Sequence, residues 1–65
     1  MLKTYWFEIT SEYDELCGYE FFIERYNFTE EKAIAEAEEL FPNSEITYWG
    51  TVPGWEVEIM GLDTY

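Results

Sequence analysis

The chain has 65 residues, 48% of them hydrophobic, and its 15 acids outnumber three bases for a net charge of −12. The hydrophobic share excludes intrinsic disorder, and the length allows one domain near the lower limit for folding on a single core. Three cations cannot neutralise a phosphate backbone, which excludes direct nucleic-acid binding, and no apolar run reaches the roughly 20 residues of a membrane span.

Residues 2–10, LKTYWFEIT, alternate with Tyr5, Phe7 and Ile9 on one side and Trp6 and Glu8 on the other, the pattern of a half-buried strand. SEYDELCG then supplies a polar turn, and a second strand is expected over about residues 17–26. Tyr19, Phe21 and Ile23 share one face there, and Glu20, Phe22 and Glu24 the other. The two strands make an antiparallel hairpin with a long loop. Cys17 is the sole cysteine, so no internal disulfide forms. It is read as a small core residue, and a reducing cytoplasm is the expected compartment.

NFTEEKAIAEAEELFPN is a helix with Thr29 as N-cap and Glu30 and Glu31 in the first turn, where the helix dipole favours negative charge. Ala33, Ile34, Ala37, Leu40 and Phe41 form its apolar stripe, Phe28 packs at its entry on Lys32 or Ala33, and Pro42 ends it. Its solvent side carries Glu30, Glu31, Glu36, Glu38 and Glu39 almost without lysine partners. Ordinary surface helices interleave both signs; this one does not.

SEITYWGTV (44–52) reads as strand three, with Glu45, Thr47 and Trp49 outward, and PG at 53–54 as a turn. WEVEIM (55–60) alternates as strand four, with Trp55, Val57 and Ile59 inward and Glu56, Glu58 and Met60 outward. The tail GLDTY is expected to fray or dock lightly, leaving an ordered domain over about residues 2–60. The expected fold is thus α+β: a single ββαββ domain whose four-stranded antiparallel sheet carries one helix on one face. The other face is left bare, with Trp6, Phe22 and Trp49 as exposed rings framed by carboxylates.

Catalytic chemistry finds little support. Histidine is absent, no glycine-rich phosphate loop exists, and the acids of SEYDE lack the spacing of a calcium loop. The chain is therefore read as a non-enzyme without cofactor or metal. A small domain needs a net charge of only about 2–8 for solubility, so −12 points to a strongly positive partner. The candidate partner-binding residues are Glu20, Glu24, Glu36, Glu38, Glu39, Glu45, Glu56 and Glu58, with Trp6, Phe22 and Trp49 beside them.

In size, charge and its acidic helix TEEKAIAEAEEL, the chain resembles the small phage-encoded inhibitors of bacterial defence, notably anti-CRISPR proteins and anti-restriction DNA mimics. That resemblance implies a cytoplasmic inhibitor that occupies the basic DNA-binding surface of a host protein or CRISPR effector complex, as a monomer or homodimer. Two alternatives remain at this point. One is a module that dimerises or binds a partner through its aromatic sheet face; the other is an antitoxin-like neutraliser of a basic protein.

Overall fold

The computed structural model describes all 65 residues and contains β1 (Leu2–Ile9), β2 (Glu20–Tyr26), α1 (Glu30–Leu40), β3 (Ile46–Val52), α2 (Gly54–Met60) and β4 (Asp63–Thr64). The class is α+β, as the patterning indicates. The sheet, however, is mixed rather than purely antiparallel, and there are two helices rather than one. Strand order is β3-β1-β2-β4, with β1 antiparallel to both its neighbours and β4 parallel to β2.

Topology decides what each helix covers. Since β2 and β3 both oppose β1, they are parallel to one another, and β4 runs with them. The chain therefore makes two parallel crossovers: β2 through α1 to β3, then β3 through α2 back across the whole sheet to β4. The crossovers travel in opposite directions, and right-handed connection puts their helices on opposite faces. Burial agrees with this arrangement. Under α1, Tyr5, Phe7, Ile9, Phe21 and Ile23 form the main core with Ala33 and Ala37. Outside that cluster, on the other face, Phe22 is also fully buried, with Thr4 and Val52 nearly so.

The main core is largely aromatic. Phe7 stacks on Phe21 at 5.5 Å, Phe41 packs on Phe21 at 4.9 Å, and the Tyr5 hydroxyl donates to the Phe28 carbonyl at 2.6 Å. Thr29 caps α1 by accepting from the Lys32 amide, and the Lys32 ammonium lies 5.8 Å over the Phe28 ring, as the entry packing requires. Ile34 and Leu40 sit at the exposed border of the stripe.

The expected fourth strand at 55–60 is a helix. Pro53 serves as its N-cap, and Gly61 ends it in the left-handed conformation at φ 60°. Trp55 and Ile59, expected inward, are 66% and 75% exposed. The tail does not fray: β4 pairs with Phe21 and Phe22, and Tyr65 exchanges backbone hydrogen bonds with Phe22 and Glu24. The Tyr65 ring meets Phe21 edge-on, and Tyr19 donates to Asp63 at 2.7 Å. Cys17 is exposed in the β1–β2 loop, not in the core. No helix is long and apolar enough to cross a membrane.

Candidate partner-binding surface

Fifteen carboxylates share one ion pair, Arg25 with Glu36 at 2.9 Å. Arg25 also donates to the main-chain oxygen of Tyr65 at 2.7 Å, so this guanidinium joins β2, α1 and the tail. Glu36 is consequently half-buried and spent on the fold, unlike the other acids of its helix. Glu31, Glu38 and Glu39 are exposed and make no side-chain hydrogen bond, whereas the exposed Glu30 lies beside the Tyr48 hydroxyl. With Ala33 and Ala37 facing the core, the helical repeat sends Glu31, Ala35, Glu38 and Glu39 outward.

The sheet acids are held differently. Glu8 and Glu20 stand directly opposite each other on β1 and β2, an arrangement of like charges that costs stability. Each is met by an indole: Trp49 donates to Glu8 and Trp6 donates to Glu20, both at 3.0 Å. The two indoles pack on one another at 6.0 Å and 40°. A hydrogen bond to a charged acceptor contributes roughly 1.5–3 kcal/mol, enough to offset the repulsion between two half-exposed carboxylates. Glu24 accepts from the Thr4 hydroxyl at 3.3 Å.

A β-bulge makes the Trp6–Trp49 contact possible. The β1–β3 register shifts between Trp6 and Phe7, where Trp49 is the extra residue and Gly50 takes φ 128°. The shift keeps Tyr48 over the main core, 5.2 Å from Phe7, while Trp49 lies with Trp6 on the opposite face. Burial pushes the Tyr48 phenol up to about 12, and the neighbouring Glu30 charge adds to this. Its hydroxyl is buried and faces the Glu30 carboxylate without a hydrogen bond of full geometry. In the β1–β2 loop, the Ser44 hydroxyl and the Leu16 amide hold the Asp14 carboxyl below its usual range.

The structure brings together only part of the expected set. Trp6, Trp49 and Glu20 form one cluster, with Glu24 further along β2. Phe22 does not belong among exposed rings: it is fully buried, on the face over which a right-handed crossover from β3 to β4 runs. Glu56 and Glu58 lie on α2 rather than on a strand, and Glu45 is exposed just before β3. Trp55 and Ile59, which strand alternation turns inward, stand on the surface. Pro53 before them and Gly61 after them are the helix-boundary signals that the sequence carries.

One cavity, of about 360 Å³, opens at the end of the sheet between Leu2, Lys3, Thr4, Glu24, Val52 and Pro53. Its titratable side chains are Lys3 and Glu24, which form no ion pair. No protein family, characterised protein or solved structure matches this chain.

Proposed function

We propose that this protein is a non-enzymatic acidic competitor, one that occupies a cationic nucleic-acid-binding surface on another protein in the manner of an anti-CRISPR DNA mimic. The observation that carries this reading is the single ion pair among fifteen carboxylates. A fold that needed its acids for stability would have paired them. Here the outward side of α1 holds bare carboxylates on a rigid frame. Glu31 and Glu38 are seven residues apart, about 10.5 Å along a helix. Three phosphate steps along one DNA strand span nearly the same distance, about 10.2 Å of axis. Lysines and arginines arranged for a phosphate row therefore meet carboxylates at compatible spacing, and the opposed charge accelerates encounter.

The test uses the protein as bait in a lysate of CRISPR-bearing bacteria, followed by target-DNA binding assays on what is recovered. The expected result is a recovered nucleic-acid-binding complex that loses its DNA in the protein's presence. The triple variant Glu31→Gln, Glu38→Gln, Glu39→Gln should compete at least tenfold less well. Recovered partners that bind DNA equally well with the protein present would overturn the reading.

A second reading draws on Trp55 and Ile59, which lie one turn apart on the exposed side of α2. It treats the protein as an interaction module gripped through apolar side chains, its charge serving solubility. Salt separates the two readings. A complex that survives 0.5 M NaCl but is lost in Trp55→Glu favours the module.

A further inference from the structure

The edge of the sheet at β3 is open. β3 has β1 on one side and no neighbour on the other, and none of the turn, loop or side-chain hydrogen bonds reaches its outer edge. The direction of its amides follows from β1. The Ile9 amide donates to Tyr19 on the β2 side, and the Thr10 amide donates to Glu45 on the β3 side. Odd residues of β1 therefore point their backbone groups toward β2. Their β3 partners, Ile46 opposite Ile9 and Tyr48 opposite Phe7, must aim theirs away from β1 into solvent. These two outward groups lie on the regular side of the bulge. The bulge at Trp49–Gly50 blunts the second half of this edge, but its first half, Ile46–Tyr48, carries neither a charged residue nor Pro.

We propose that this edge binds an extended, lysine- or arginine-bearing segment of a partner protein, which adds as a fifth strand along Ile46–Tyr48. Charge decides between occupants. A second copy would bring two charges of −12 against each other along the shared edge, whereas a basic strand is attracted. Alternation places every second side chain of the incoming strand on one face. On that face stand Glu45, Glu8 and the half-exposed ring of Trp49, two carboxylates and a cation–π surface. Main-chain pairing supplies affinity, and the acid–indole face selects basic residues. The docking rests on the acidic-competitor reading for the charge of its occupant, and on the strand edge alone for its geometry.

Two synthetic peptides test it against the intact chain: ten residues of alternating lysine and valine, and the same peptide with every backbone amide N-methylated, so that neither of its edges can donate. Both carry equal charge, but the second cannot form a ladder. The first should bind at least tenfold more tightly and should slow hydrogen exchange at the Ile46 and Tyr48 amides at least tenfold. Equal affinity for the two peptides would overturn strand addition while leaving electrostatic competition standing. Binding of neither would overturn it as well. So would a homodimer, seen by sedimentation without peptide, whose Ile46 and Tyr48 amides are already protected.

Discussion

Phe22 and Trp49 both come from the alternation that marks the outward face of the sheet, yet their surroundings differ completely. Phe22 is fully buried on the central strand pair, whereas Trp49 is 52% exposed on the edge strand. Truncating a well-packed phenylalanine costs about 3–5 kcal/mol through lost transfer energy and the cavity left behind. Phe22→Ala should therefore cost that much in urea unfolding, a large share of the total stability of a 65-residue domain. Trp49→Ala should cost less than half as much. A loss below about 1 kcal/mol at Phe22 would mean that its face is not a second core. Tyr48 gives a different residue-scale prediction. Its phenol is buried beside Glu30 without a hydrogen bond of full geometry and is pushed up to about 12, against 10.0 when free. The folded state thus holds the phenolic proton more tightly than the unfolded state. The stability linked to that proton is complete below pH 10 and is lost as pH climbs towards 12. Tyr48→Phe removes an orphaned hydroxyl and an alkali-sensitive group together. It should leave stability at pH 7 unchanged or higher, and should shift the alkaline unfolding midpoint upward. A lower melting temperature at pH 7 would show that the hydroxyl has a partner.

At the scale of elements, α1 and the β1–β2 pair were legible because each has several concordant signals. Thr29, the first-turn acids, the apolar stripe and Pro42 all agree for α1. Tyr5, Phe7, Phe21 and Ile23 alternate in step across the hairpin. Residues 55–60 read as a strand because WEVEIM satisfies period two in full, while a two-turn helix shows too few repeats for its own period to stand out. What decides the matter is non-local. The chain leaves β3 at one edge and must reach β4 at the other, three strand spacings or about 14 Å away. A strand at 55–60 paired back on β3 would have left Phe22 bare. The acid site was legible as composition and only partly as geometry, since nothing in the local pattern marks Glu36 as Arg25's partner. Two glycine substitutions probe the helix. Gly61 has φ 60° and open space where a Cβ would stand, so Gly61→Ala should cost about 1–2 kcal/mol of backbone strain with no clash. Gly54 also has open space, lies in the first turn of α2, and has no positive φ. Gly54→Ala should therefore stabilise by about 0.4–1 kcal/mol. Were 55–60 a strand, the two substitutions would not differ in sign; urea denaturation of both variants settles it.

Over the whole molecule, charge and size are set against each other. The chain extends 35 × 24 × 15 Å and carries −12. At 0.01 M salt the screening length is about 30 Å, so nearly every carboxylate repels every other; at 0.1 M it is about 10 Å, and only neighbours interact. One ion pair and two indole clamps relieve a small part of this, so the free protein folds against its own field. Raising NaCl from 0.01 M to 0.5 M should accordingly raise the melting temperature by at least about 4 °C, the shift that roughly 1 kcal/mol produces in a domain of this length. Salt must act in the opposite sense on any complex made through these acids, because the same screening weakens attraction to a cationic partner. The two responses are linked: the repulsion that burdens the free chain is the potential that a basic groove relieves. Replacing Glu31, Glu38 and Glu39 by glutamine should raise the low-salt melting temperature, flatten its rise with salt and weaken partner binding together. If the variant melts like the parent at 0.01 M NaCl, the exposed acids of α1 are too well solvated to strain the fold. The link between instability and function would then be broken, even with a partner in hand.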